Sequence, residues 1–203
     1  MDPQKRRGQI LGAARSLIFS STAEGVRVED ILQELSLSKG GFYHHFASME
    51  DVLATLVTED LAGLLDTLTR KARESRSAVE ALLCLFDFGS DEKEGESGIL
   101  QAIESRPLKL RYLEILELVL YDPLDELLHS VLIRGMDSGD FALVPVQGLA
   151  SIFRAVNRQL NRQAILQEEV GEIPMVRQMA LRMLFRELQI IHQPEVEEFL
   201  ASW

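Results

Sequence analysis

Apolar positions recur at helical spacing along almost the whole chain. Within residues 3–20, Ile10, Leu11, Ala14, Leu17 and Ile18 fall on one face of a 3.6-residue period, which predicts an amphipathic helix. The small, turn-forming run SSTAEG then ends it. Val28, Ile31, Leu32 and Leu35 repeat at i, i+3, i+4 and i+7 and predict a short second helix. Glu29 and Asp30 in its first turn suit the positive end of the helix dipole. Only Ser36 and Leu37 intervene before Ser38, a good cap residue, so a third helix is predicted from Lys39, with Phe42 and Phe46 as its buried stripe. SMED, Ser48 to Asp51, is a capping-box pattern that opens a fourth helix. Its apolar residues, Val52 through Leu68, keep helical spacing for about five turns.

The remainder reads as helix too. SAVEALLCLFDF leads into the charged run GSDEKEGES, expected as a mobile loop, then ILQAIES and LKLRYLEILELVLY around Pro107. DPLDELLHSVLIRGMDSGD opens with Asp122 as cap and Pro123 at the first helical position, and ends near Gly139. Two long helices are predicted at about 146–166 and 174–191, and PEVEEFLASW makes a short last one. No alternating strand pattern and no repeat competes, so the fold class is all-α.

Composition narrows the choice further. With 203 residues, 46% hydrophobic and 26% charged, the chain is long enough for one globular domain or two small ones. Charged residues interrupt every apolar run before membrane-spanning length, so no membrane association is expected. The basic N-terminus is followed by no apolar segment and does not read as a secretory signal. One cysteine, Cys84, is expected as a buried structural thiol and fits a reducing, cytoplasmic setting. The net charge of −11 argues against broad coating of nucleic acid, but it is uneven. Residues 1–54 carry six Lys/Arg against seven acids, whereas the rest carries 15 against 25. A small DNA-contacting face at the N-terminal end is therefore compatible with the total.

The segment LSKGGFYHHF, Leu37 to Phe46, asks for an explanation, because a helical glycine is worth roughly 1 kcal/mol less than alanine. Three helices whose second and third meet across a tight turn form the helix-turn-helix arrangement, whose third helix enters a major groove. Gly40 and Gly41 near its start let backbone N–H groups approach a phosphate or base edge, where the helix N-terminus favours an anion. The alternative is that early-turn glycines are simply tolerated. With Phe42 and Phe46 inward, Tyr43, His44 and His45 face outward or sideways, and Lys39 adds a cation. Adjacent histidines do not converge on one point, and no Cys or third His stands at ligand spacing, so no metal site is expected.

The stretch QILGAARSLI…VRVEDILQELSLSKGGFYHHFASMEDVL, roughly residues 9–53, resembles the DNA-binding domain of TetR-family transcriptional regulators. The resemblance runs through Ile10, Leu11, Ala13, Ala14 and Leu17, then Val28, Asp30 and Ile31, then Ser38, Lys39, Gly40, Tyr43, His45 and Phe46. It implies an N-terminal three-helix helix-turn-helix domain, residues 1–54, followed by a larger helical effector-binding and dimerisation domain, residues 55–203. It also implies DNA contacts from Arg27, Ser38, Lys39, Gly40, Gly41, Tyr43, His44 and His45, with Tyr43 and His45 on phosphates. Three positions depart from the family pattern: Arg27 and Gly41 stand where Thr is frequent, and Met49 where Lys is frequent. Arg27 is a poor cap for the second helix. Each lost ionic contact flattens the salt dependence of binding by roughly one unit of slope.

By the same resemblance the chain is expected to pair as a homodimer through its last two long helices. Leu149, Ile152, Val156 and Leu160 on the first, and Met179 and Met183 on the second, are the interface candidates, though apolar stripes serve an intrachain core equally well. Phe86, Phe88, Tyr112, Tyr121, Phe153 and Met175 are candidate walls of an effector pocket, with Arg111, Glu114 or His129 as polar anchors; core packing explains the same residues. Arg154, Arg158 and Arg162 form an i, i+4, i+8 row beside Asn157 and Asn161. The row reads as a solvated face or cross-dimer ion pairs, with an anion-recognising pocket wall as the alternative.

These expectations define a ligand-responsive, operator-specific DNA-binding regulator, a repressor released by a small-molecule effector of unknown identity. Its DNA partner is a double-stranded, pseudo-palindromic operator read by two recognition helices about one turn apart. Effector binding would be passed through residues 48–56 of the fourth helix. The alternative is a helical ligand- or partner-binding protein with a degenerate DNA-reading head. An enzyme finds no support: no G-x-S-x-G elbow, G-x-x-x-x-G-K loop or metal-ligand spacing occurs, so no catalytic residue and no cofactor is expected.

Overall fold

The computed structural model describes residues 2–20, 26–86, 106–166 and 173–202. The charged loop GSDEKEGES and most of SSTAEG lie outside the described residues. Ten α-helices are seen among the described residues: α1 Pro3–Ser20, α2 Val28–Glu34, α3 Lys39–Tyr43, α4 Met49–Glu74, α5 Ala78–Phe86, α6 Arg106–Leu116, α7 Asp122–Ser138, α8 Val146–Leu166, α9 Ile173–Glu187 and α10 Pro194–Ala201. A π-helical turn, Glu117–Tyr121, leads into α7. No described helix is long and apolar enough to cross a membrane. The chain forms two compact units: residues up to Leu61 with α6, and residues from Ala62 through α5 together with those from Glu117 onward.

In the first unit, Ile10, Ala14, Ile31, Phe42, Val52 and Leu56 are fully buried, which are the positions the helical periodicity selects. Arg15 of α1 grips Asp60 of α4 through two hydrogen bonds of 2.9 and 2.6 Å, a fork geometry that fixes the two helices. Arg7 lies over the Phe46 ring at 4.9 Å and donates to Thr55 Oγ1 at 3.3 Å.

Arg27 is the poor cap that the sequence suggests, and α2 is capped in another way. Arg27 caps nothing with its own side chain; instead the Asp30 carboxylate accepts from the Arg27 backbone N–H at 2.8 Å. Asp30 thus supplies half of a capping box from inside the first turn. The turn after α2 closes by two bonds, Leu37 N–H to Leu32 O at 2.8 Å and Ser36 N–H to Gln33 O at 3.2 Å. That geometry forces Ser36 to φ 48°, the left-handed region where a side chain crowds the backbone. Ser36→Gly is therefore expected to raise stability by about 1 kcal/mol, read as a higher urea midpoint at unchanged slope.

Helix α3 is shorter than predicted. It ends at Tyr43, and Phe46 keeps only an N–H bond to Phe42 O at 3.1 Å, one turn beyond the helix. Two glycines and three aromatic or imidazole side chains give this segment little helix propensity, and the next cap follows at once. That cap is as predicted: Ser48 Oγ accepts from Asp51 N–H at 3.3 Å, while the Asp51 carboxylate accepts from Ala47 N–H at 3.0 Å.

In the second unit α5 packs on α7, α7 on α8, and α8 on α9, with α10 against α5 and α9. Leu82, Leu132, Leu181, Phe185, Leu188 and Ile190 form the centre of this core. Asp122 is not a cap, in contrast to the sequence reading: Tyr121 before it is helical, at φ −70° and ψ −45°. Pro123 has no N–H for the carbonyl of Val119, and its ring crowds that carbonyl; the π-helical turn over Glu117–Tyr121 is where the backbone widens to absorb this. Helix α7 ends at Gly139, φ 81°. Asp140 then caps α5 by accepting from Ala78 N–H at 3.0 Å. Cys84 is half-buried rather than fully enclosed, with its sulfur 4.0 Å from Ser75 Oγ.

Candidate nucleic-acid interface and ligand cavity

The start of α3 is built as its sequence requires. Ser38 Oγ accepts from Gly41 N–H at 3.1 Å and fixes the first turn. Phe42 and Phe46 are buried, with ring centroids 6.1 Å apart, and this anchors one side of the segment. The other side is presented to solvent. Tyr43 is 55% exposed, and its ring meets the Phe42 ring edge-on at 5.3 Å. Lys39 and His44 are exposed and His45 is half-buried, the two imidazoles lying 5.0 Å apart. Lys39 Nζ stands 3.6 Å from the Glu29 carboxylate, an exposed pair that a phosphate can displace.

The two glycines turn out to be different. Nothing lies within 4 Å of where a Gly40 Cβ would project, so that position is open. A Cβ on Gly41 would come 2.7 Å from a terminal methyl of Leu37, so its absence makes room for that side chain. Arg27 and Tyr43 share a shallow cleft with Ser48, Met49 and Leu53 of the α4 start and Leu108 of α6. The Glu50 carboxylate accepts from its own backbone N–H and the Ser48 hydroxyl, which hold its pKa below the ordinary value. The α4 start thus presents Met49 and an ionised Glu50.

The second unit holds a cavity of about 100 Å³ among α5, the π-helical turn, α7, α8 and α9. One wall is apolar: Leu85, Phe86, Leu128, Phe153 and Leu181. Phe86 and Phe153 meet edge-on at 4.7 Å there. The opposite wall is polar. Arg154 Nε lies 2.6 Å from Asp125. Arg158 Nη2 lies 2.5 Å from Glu117, 3.1 Å from Asp122 and 3.3 Å from Asp125. Asn161 donates to the Tyr121 hydroxyl and accepts from Arg177 at 2.5 Å. Burial pushes the Asp125 carboxyl up from its ordinary value while Arg154 and Arg158 pull it down; burial also pushes the Arg177 guanidinium down.

Of the predicted pocket residues, the cavity brings together Phe86, Tyr121 and Phe153. His129 instead borders a shallower cleft with Glu126 and Gln147. Arg111 and Tyr112 belong to the first unit, where Arg111 pairs with Glu114 at 2.8 Å and Tyr112 is buried. Met175 is 56% exposed and stands outside the cavity; Phe88 lies outside the described residues. Asp125 and Arg177 carried no signal in the sequence. Arg154, Arg158, Asn157 and Asn161 did, as the α8 row, and line the cavity, while Arg162 is exposed.

Helices α8 and α9 also share an open apolar groove lined by Leu149, Ile152, Val156, Ala180 and Met183. Ile152, Met179 and Met183 are 65%, 56% and 62% exposed, a large apolar surface for one chain to leave in water. Leu160 departs from the predicted interface set, being 5% exposed and packed within its own chain. The reason is that α8 carries one broad apolar face: Phe153 and Leu160 lie at its buried edge, whereas Ile152 at the other edge is exposed and borders the groove with Leu149 and Val156.

Residues 10–56 match the family described as bacterial regulatory proteins, tetR family. The chain is 27% identical over 158 residues to an uncharacterised HTH-type transcriptional regulator, YfiR, of Bacillus subtilis (strain 168), covering 73% of each chain. It is 35% identical over 85 residues to the HTH-type transcriptional repressor KstR2 of Rhodococcus jostii (strain RHA1), covering 38% of this chain and 40% of that one. The fold matches a crystal structure of a transcriptional regulator from Saccharomonospora viridis in complex with choline, at TM-score 0.60 and 19% identity over 90% of this chain and 96% of that one. The exposed reading segment and the capped turns that hold it thus lie within residues 10–56, the stretch that matches the tetR family of bacterial regulatory proteins.

Proposed function

We propose that the chain is an operator-specific, ligand-responsive transcriptional repressor that works as a homodimer and releases DNA when a small-molecule effector binds. The observation that carries this reading is the α3 segment. Phe42 and Phe46 lock one side, and Ser38 fixes the first turn, so Lys39, Gly40, Tyr43 and His44 are held outward on a rigid scaffold. Preorganised phosphate contacts of this kind set register, and base edges set sequence. Arg27, Gly41 and His45 complete the contact set in this reading, with residues 1–54 as the reading head and 55–203 as the effector-binding and dimerisation domain.

Leu149, Ile152 and Val156 of α8 with Met179 and Met183 of α9 are the proposed dimer surface, Met175 joining them from the same face of α9 at i, i+4 and i+8. Met179→Glu is expected to convert the dimer to a monomer in sedimentation velocity, because a desolvated carboxylate facing its symmetry copy is strongly unfavourable. The cavity is the proposed effector site, because it joins an apolar wall to a polar one inside the second unit. The protein works without a cofactor or catalytic residue, in the cytoplasm. A second reading, a ligand-binding protein with a weakened reading head, draws on Met49 and the ionised Glu50 at the α4 start.

Recovery of genomic fragments on the immobilised protein separates the two. A narrow set of fragments retained by the wild type and lost by Tyr43→Phe is the expected outcome. Retention no better than bulk DNA, by a folded dimer, would favour the second reading.

A further inference from the structure

The cavity has a chemistry of its own. Three guanidinium groups, Arg154, Arg158 and Arg177, line it with one carboxylate, Asp125, while Glu117 and Asp122, which are not in the lining, also pair with Arg158. The recorded contacts of Arg158 with Glu117, Asp122 and Asp125 all run through a single terminal nitrogen, Nη2. Its Nε is buried and has no hydrogen-bond partner among the described residues. A buried donor without an acceptor is unfavourable and rare in native structures. Nε–H and Nη2–H together form the fork that a carboxylate engages side-on. Across the cavity, Phe86, Phe153, Leu128 and Leu181 offer no polar group at their side chains.

We propose that the cavity binds a small organic acid, one carboxylate on a compact apolar body, with the carboxylate seated on Arg158 and the body against Phe86 and Phe153. This rests on the reading of the cavity as the effector site. A cation is disfavoured, because the lining anion Asp125 is already engaged by two arginines, 2.6 and 3.3 Å away. The volume of about 100 Å³ suits a ligand body on the scale of one aromatic ring or a short aliphatic chain. An incoming carboxylate takes the Nε–H of Arg158 and competes for Nη2–H with Glu117, Asp122 and Asp125, which already contact it.

The test compares acids with uncharged isosteres of the same shape: benzoate, phenylacetate and hexanoate against benzamide, phenylacetamide and hexanamide. Binding is read by calorimetry on the full chain without DNA, at neutral pH. At least one acid is expected to bind about tenfold more tightly than its amide. Arg158→Gln is expected to erase that preference, and Arg158→Lys, which keeps the charge without the fork, to restore part of it. The wild-type acid-to-amide ratio stands even if either variant folds poorly. Amides binding as tightly as acids, or no acid binding at millimolar concentration, overturns the inference. Release of retained genomic DNA is scored in a separate arm. Acid binding that leaves DNA retention unchanged keeps the inference and removes the effector reading, while DNA release by amides alone does the reverse.

Discussion

Gly135→Ala is expected to destabilise the second unit by about 3 kcal/mol, the upper range for overpacking a core, and to lower the melting temperature by roughly 6–12 °C for a chain of this size. Gly135 is buried in α7, and a Cβ there would lie 2.1 Å from a ring carbon of Phe141. Real Cβ atoms do not approach so closely, so something has to move. The Phe141 ring is 4% exposed and has no open side to retreat into. Its backbone is pinned as well, since Phe141 N–H donates to Gly135 O at 3.0 Å and the neighbouring Asp140 caps α5. Strain at this one methyl would therefore spread to the α5 and α7 contact. Gly63→Ala is the matched control. Gly63 is exposed within α4 and nothing stands within 4 Å of its Cβ direction, so alanine there should stabilise by up to about 1 kcal/mol through helix propensity. Urea midpoints for the two variants should move in opposite directions.

The second large effect concerns DNA. Tyr43→Phe is expected to weaken operator binding by about 100-fold or more while leaving the fold unchanged. The ring stays, and with it the edge contact to Phe42 at 5.3 Å, so only the exposed hydroxyl is lost. A hydrogen bond to a charged group is worth about 1.5–3 kcal/mol, and a dimer loses two, one per reading head. At 1.4 kcal/mol per decade this is two decades at the least. Lys39→Ala should act differently. It removes a cation already shared with Glu29, 3.6 Å away, so its clearest sign is a salt dependence shallower by about one unit per head rather than a large change at one salt concentration. Fluorescence anisotropy across a salt series distinguishes the two patterns.

The reading head was the most legible part of the sequence, because its signals are local. A cap at Ser38, aromatics four apart at Phe42 and Phe46, and a second cap at Ser48 each act within one turn, and each is present in the structure. The bounds of α8, Val146–Leu166, follow from apolar periodicity alone. What escaped was decided at a distance. Pro123 after an acid imitates a helix start, but Tyr121 and the π-helical turn before it carry the helix through. Arg154 and Arg158 imitate a solvated row because their partners, Glu117, Asp122 and Asp125, come from the π-helical turn and α7. Leu160 and Ile152 look equivalent as apolar residues, yet they stand roughly 80° apart around α8, at the buried and the exposed edge of one apolar stripe. Met175 looks like a pocket wall and lies with Met179 and Met183 outside. Gly41 was open to two explanations, and the structure adds a local one: a Cβ there would meet the flexible end of Leu37 at 2.7 Å, a contact visible only once the turn is folded.

Selection from a fully randomised pool of duplex DNA by the purified protein tests the central claim most directly. The account predicts recovery of one short half-site present twice in inverted orientation, its centres about one helical turn apart, roughly 34–36 Å, with the enrichment abolished by Tyr43→Phe. A folded, dimeric protein that enriches no sequence, or enriches a single unrepeated motif to the same extent with and without the Tyr43 hydroxyl, would contradict it.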